Sequence, residues 1–252
     1  MSSLAALRRC IGWTFLAAAV LLPLGSRLGR RLPPPRDLLP ELTRAPVQEP
    51  TDRAPFDFTY KGKRCFVRPV ATYELWGLVV SRNDIHSVSD IYHDATSVDT
   101  RDLCVVWGRN VASGNYGAAE FWSGPFTCYV RTPDGLELDS AAVGNNHLIT
   151  DQPELRRALA KVDVGDQVHL RGLLVDYRME DWGEFWRRTS RVRDDSGCEV
   201  IFLEQLDVLA RSAPLWRAAA RLAKALLAAL PVAWLGVTWL EAKRGRSSLG
   251  EL

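Results

Sequence analysis

The side chains able to do chemistry fall into three groups. His86, Asp90 and His93 are spaced i, i+4 and i+7, so one helical turn there would bring two imidazoles and a carboxylate to a common face. His147, in the run Asn145-Asn146-His147, would supply a third nitrogen. A borderline divalent cation such as zinc accepts that ligand set, and an open fourth position would activate water for hydrolysis. The same residues equally suit an acidic surface loop whose His and Asp side chains hydrogen-bond their own turns. No HExxH motif accompanies them.

The second group is Trp182, Phe185 and Trp186 with the adjoining Arg187 and Arg188. Rings beside guanidinium groups stack on sugars or bases, or lie at lipid headgroups. Alternatively they cap the end of a β-domain. The third group is Cys65, Cys104, Cys128 and Cys198. The absence of a CxxC pair argues against a zinc ribbon or a thioredoxin-like site. Four cysteines on strand-like segments suit two disulfides in an oxidising compartment; as free thiols they would be small apolar core residues. Cys104 and Cys128 stand in apolar runs that disfavour a thiolate. No GxSxG, phosphate-binding loop or dinucleotide fingerprint is present, so no nucleophilic constellation is legible.

The elements that must position these groups alternate between strands and turns. Arg64–Val70, Tyr73–Ser81, Asp102–Gly108, Pro125–Arg131, Val164–Tyr177 and Cys198–Leu209 read as strands. Ser81–Arg101 reads as a long polar loop and Val111–Gly124, with three glycines, as turns. Asp151 caps a helix over Gln152–Val162, with Leu155, Leu159 and Val162 on one face.

Charge is unevenly distributed. Residues 55–210 hold 17 Lys and Arg against 24 Asp and Glu, while the two ends hold 15 basic and 6 acidic residues. An acidic middle argues against nucleic acid, whose affinity is mostly electrostatic. Cys10–Ser26 carries no charge and is near the lower limit of the ~17–25 residues that span a bilayer; residues 1–31 read as an uncleaved signal-anchor, with a cleaved signal peptide as the competitor. Residues 32–54 contain Pro33, Pro34, Pro35, Pro40, Pro46 and Pro50 and read as an extended linker. Ala225–Leu240 is a second uncharged run. Residues 213–245 read as a spanning helix with an amphipathic start, and 246–252 as a tail. Arginines outside both runs favour a cytoplasmic domain, whereas paired cysteines and the signal-like start favour an extracytoplasmic one. The extracytoplasmic placement is the expectation adopted.

The order strand, long loop, strand, strand, helix, strand, loop, strand resembles the oligonucleotide/oligosaccharide-binding (OB) fold, a five-stranded Greek-key barrel with a helix between strands three and four. Tyr73–Ser81 and Gly165–Tyr177, each with a mid-strand glycine (Gly77, Gly172), carry the resemblance with Glu199–Leu209 and Gln152–Val162. The cysteine and Asn-Asn-His-Leu pattern is also similar to a bacterial membrane-protein group, a likeness that implies no activity. The expected fold is therefore mainly β: a five- to six-stranded OB-like barrel over residues 55–210, between N- and C-terminal transmembrane helices. In OB domains the loops after strands one and four flank the ligand face, here Ser81–Arg101 and Arg178–Gly197. The expected function is a membrane-anchored binding or assembly module for an envelope protein, an extended peptide or a glycan, without catalysis or cofactor. The alternative is a metal-dependent hydrolase at the His/Asp site, and nucleic-acid binding comes third.

Overall fold

The computed structural model describes residues 3–83, 85, 97–124, 127–192 and 197–249, with side chains as far as residue 243. It is a mixed α/β protein with a large sheet, divided into two compact units: Leu32–Ser212, and the two ends Met1–Arg31 and Ala213–Leu252.

The end unit pairs helix α1 (Ser3–Leu28) with the long helix α4 (Pro214–Leu249). Both are long and apolar enough to cross a membrane. Small residues let them approach closely: a Cβ on Gly25 would meet the backbone of Trp216 and Ala220 at 3.0 and 3.1 Å. Ala18 and Ala223 are buried at the same seam, as close helix pairing in a bilayer requires. Arg8 donates to Glu241 at 3.1 Å near one end. The amphipathic start and the uncharged run expected at 213–245 form one continuous helix, with Pro231 inside it.

The central unit is built on β3 (Lys63–Asn83), a single strand of 21 residues. Sequence spacing suggests two strands, Arg64–Val70 and Tyr73–Ser81, separated at Ala71 and Thr72. They join because Pro69 falls at a register shift against β8 (Gln167–Met179), where a proline costs no ladder bond. β1 (Val47–Pro50), β2 (Phe56–Tyr60), β4 (Arg101–Val106) and β8 all pair with β3 antiparallel. β7 (Val143–Ile149) pairs antiparallel with β4 and parallel with β9 (Glu199–Ala210), which returns antiparallel to β8. The pairings thus form a circuit β3-β4-β7-β9-β8-β3. Its third member is β7, a segment that reads as loop in the sequence because Gly144, Asn145, Asn146 and His147 are poor strand formers. Helix α3 (Pro153–Leu159) lies between β7 and β8.

Inside the circuit Tyr73, Leu75, Val79, Leu103, Leu148, Val168, Leu170 and Ile201 pack together, with Leu159 of α3 among them. Gly77 and Gly172 are required by close approach: a Cβ on Gly172 would lie 2.1 Å from the Phe202 carbonyl oxygen, and one on Gly77 2.2 Å from Val105 Cγ1. The outer face of β3 and β4 is covered as well. Leu78, Val80, Cys104 and Val106 pack there against Leu42, Val111 and Tyr116.

Two expectations are corrected at this outer face. Residues 32–54 are not a free spacer. Leu38, Leu39 and Arg44 have polyproline-like dihedrals, but Leu42 is fully buried, Gln167 Nε2 donates to Asp37 O and Leu39 N donates to Gln167 Oε1 at 2.8 Å. Apolar Leu38, Leu39 and Leu42 supply the cover that a strand buried on both faces needs. The stretch 111–124 is likewise more than turns: α2 (Gly108–Ser113) ends there and β5 (Glu120–Gly124) pairs with β6 (Thr127–Arg131) in a separate two-stranded sheet. β6, expected as a barrel strand, is outside the main sheet. Cys128 of β6 is bonded to Cys104 of β4, which fixes this hairpin to the outer face. Among the described residues Cys65 and Cys198 are not joined to each other, so one of the two expected bridges is seen there.

Candidate functional site

The loop between β8 and β9 carries the predicted aromatic group. Trp182 ends a short 3-10 turn, its ring 5.3 Å from Tyr177 and 5.8 Å from Phe185. Phe185 is 64% exposed, a large cost for a ring that only capped a core. Trp186 is half-buried and lies between two cations, Arg68 at 3.7 Å and Arg178 at 5.5 Å from its ring centre. The series continues through Phe66, which Arg178 and Arg64 approach at 4.8 and 5.1 Å. Arg64, Phe66, Arg178, Trp186 and Arg68 therefore form a strip of alternating guanidinium groups and rings across β3 and β8. Arg64 is neutralised by Asp57 at 2.8 Å, and Arg178 is 3.7 Å from Glu184. Among the described residues no carboxylate pairs with Arg68 or with the exposed Arg188.

Arg187 behaves differently from its neighbours. Its backbone exchanges two hydrogen bonds with Tyr177, each 2.9 Å, and this bridge turns its side chain inward. There Arg187 Nη2 lies 2.6 Å from His147 Nε2. His147 and Asp102 face each other across β7 and β4, and His147 Nδ1 is 2.6 Å from Asp102 Oδ1 with both side chains buried. Asn145, two residues before His147 and hence on the same face of β7, donates Nδ2 to Cys198 Sγ at 3.6 Å. Asn145 Nδ2 also lies 3.4 Å from His147 Nε2, so one amide adjoins both the imidazole and the thiol of Cys198, just before β9. Nδ1 is committed to Asp102, and Nε2 meets Arg187 and Asn145 on the side of the ring toward Cys198.

The electrostatics follow from this packing. Burial pulls the His147 pKa down, but the hydrogen bonds to Asp102 and Cys198 and the Asp102 charge outweigh it and hold the imidazole up at about 9. Burial raises the Cys198 thiol, and the His147 hydrogen bond and charge, Asn145 and Arg187 bring it below the ordinary thiol value. Arg187 imposes a competing requirement. A guanidinium can only donate, so at 2.6 Å it needs Nε2 unprotonated, with the ring's proton on Nδ1 toward Asp102. The contact shown is thus that of the neutral ring, the form above the raised pKa of about 9. Asp102 Oδ2 and Asn145 Oδ1 are buried with no hydrogen-bond partner among the described residues.

His147 is committed to Asp102 and Arg187, so it is not free for the metal set considered from the sequence. His86, Asp90 and His93 lie outside the described residues. Among those described, no group of three or more His, Cys, Asp or Glu is arranged to hold a metal ion. Cys65 is buried in the core beside Val67, Tyr177 and Met179, where burial and then the Asp99 charge push its thiol up to about 12. The grouping of Asp102, His147 and Cys198 is not legible in the sequence because its members come from β4, β7 and the residue before β9, separated by 45 and 51 positions. The one legible signal was the polar run Gly144–His147, an odd sequence to bury. Compared with known proteins, the chain matches no family model, no curated protein and no solved structure.

Proposed function

We propose that the protein is a membrane-anchored β-domain that binds an extended, carboxylate-bearing partner, a glycan or an acidic segment of an envelope protein, along the strip Arg64–Phe66–Arg178–Trp186–Arg68. The observation that carries this reading is Arg68, stacked 3.7 Å from the Trp186 ring with no carboxylate partner among the described residues. A stacked, unneutralised guanidinium is suited to a planar anionic group, and Trp182 and Phe185 extend the surface with exposed rings. The circuit β3-β4-β7-β9-β8, with its one parallel pair and α3 before its fourth strand, supports an OB-like Greek-key barrel. In that fold this loop borders the ligand face. Two apolar helices at the ends support a two-pass anchor. The Cys104–Cys128 bond supports an extracytoplasmic domain.

The test is calorimetric titration of the full-length protein in detergent micelles with an acidic oligosaccharide, its neutral counterpart and an acidic peptide. The acidic sugar or the acidic peptide binds, the neutral sugar binds at least tenfold more weakly, and Arg68→Glu weakens binding about tenfold or more, as loss of a stacked cation and a reversed charge require. Equal binding of acidic and neutral sugars, or wild-type affinity in Arg68→Glu, would overturn the reading.

A further inference from the structure

We propose that Cys198 is a nucleophile for acyl transfer, with His147 as its acid–base partner, Asp102 holding the imidazole, and Asn145 as the donor to the developing oxyanion. Asp102 Oδ1 at 2.6 Å from Nδ1 fixes the ring, and Asn145 Nδ2 lies 3.4 Å from Nε2 and 3.6 Å from Cys198 Sγ, so imidazole and thiol share one neighbour, a grouping of nucleophile, base and orienting carboxylate. Register enforces it: Asp102 and His147 are directly opposed, and Asn145 and His147 project from one face of β7. Asn145 Nδ2 reaches Sγ at 3.6 Å, placing an amide donor beside the atom to be acylated. Asp102 is 1% and Asn145 4% exposed, yet each keeps one oxygen without a partner among the described residues. A core histidine serving only stability has no use for a second buried amide and a thiol on its other side. Cys198 itself is only partly buried, whereas His147 is fully buried.

The chemistry balances without a cofactor. His147 Nε2 takes the thiol proton and the Cys198 thiolate adds to the carbonyl carbon of an ester or thioester. The C=O π pair moves to oxygen, where Asn145 Nδ2–H receives it. Collapse expels the alkoxide or thiolate, which takes the proton from Nε2, and leaves an acyl-Cys198 thioester. Water then adds to that thioester, His147 accepting its proton, and the carboxylic acid departs as Cys198 is reprotonated. Arg187 occupies Nε2 at 2.6 Å and must withdraw before the first step.

The experiment is a pulse of p-nitrophenyl acetate on the full-length protein in detergent micelles, read by nitrophenol release and by peptide mass spectrometry. Acetyl is expected on Cys198. His147→Asn is expected to slow its formation about 100-fold, the lower end of general-base effects, and Cys198→Ser to abolish the fast phase. Cys10→Ser leaves it unchanged. Nitrophenol release with no acetyl on Cys198, or acetylation of Cys198 in His147→Asn at the wild-type rate, overturns the proposal. Should either variant fail to fold, the wild-type protein decides: its Cys198 must react with iodoacetamide with an inflection below the ordinary thiol range of about 8.5, and an inflection at or above that value also overturns it. The result is independent of the carboxylate-binding reading, because the ester used is neutral.

Discussion

Substitution of Gly172 by Ala tests the strand circuit at its tightest point. The new methyl would lie 2.1 Å from Phe202 O, 3.1 Å from Phe202 C and 3.2 Å from Glu204 N. All three are backbone atoms of β9, and the site coincides with a register shift between Arg171 and Gly172. A clashing side chain could rotate away; a backbone carbonyl held in a ladder cannot. Relief of the overlap, roughly 1 Å, needs β8 and β9 to part locally. Overpacking costs ~1–3 kcal/mol, and each ladder bond strained adds ~1 kcal/mol, so a loss of ~3–5 kcal/mol is expected. That is a large share of the ~5–15 kcal/mol that holds a domain folded. The assay is urea unfolding of the full-length protein in detergent, followed by near-ultraviolet circular dichroism. Gly117→Ala serves as control, since nothing lies within 4 Å of its Cβ position, and should change stability by under ~0.5 kcal/mol. A loss below about 1 kcal/mol in Gly172→Ala would refute the β8–β9 register and the circuit built on it.

Leu42→Ala should cost ~2–4 kcal/mol by the same unfolding assay, because Leu42 is fully buried against β3 and β4; an unchanged midpoint would return residues 32–54 to the status of a spacer. Cys128→Ser should cost roughly 3 kcal/mol from loss of a bridge across 24 positions, and non-reducing peptide mapping should join Cys104 to Cys128 and leave Cys65 unpaired. The His147 titration gives a signed prediction. Its folded pKa is raised to about 9 against ~6.5 unfolded, so its contribution is full below pH 6.5 and is lost as pH rises toward 9. In the wild type the depressed Cys198 thiol opposes this slope, since the folded state there holds fewer protons. Cys198→Ser should therefore lose stability between pH 6.5 and 9, by at most ~1.4 kcal/mol per pH unit, and adding Asp102→Asn should flatten the curve.

Much of the scaffold was legible because burial leaves a period in the sequence. The alternation Cys65, Val67, then Tyr73, Leu75 marks one face of β3, and Leu155, Leu159 and Val162 mark the inward face of the α3 segment. The two terminal runs were legible from hydropathy alone. What escaped notice was long-range. β7 was hidden because its strand is specified by neighbours on both sides, β4 and β9, and not by its own polar residues. The hairpin β5–β6 was displaced from the main sheet by a disulfide whose partners no local pattern identifies. The role of residues 32–54 was masked by their prolines, which set the local dihedrals correctly but say nothing of where Leu42 packs. At the site, the aromatic residues were found from composition, while the inward turn of Arg187 depends on a two-bond bridge to Tyr177 that local sequence does not encode.

The central claim is that the β8–β9 loop and the adjoining face of β3 are ligand-facing surface. Hydroxyl-radical footprinting of the full-length protein in lipid nanodiscs, with and without whichever acidic ligand binds in the titration, tests it most directly. Ligand should slow oxidation of Phe66, Trp182, Phe185 and Trp186, while Trp122 and Tyr129 on the disulfide-tethered hairpin oxidise at unchanged rates. Protection confined to the hairpin, or unchanged rates at all four strip residues under saturating ligand, would contradict the account.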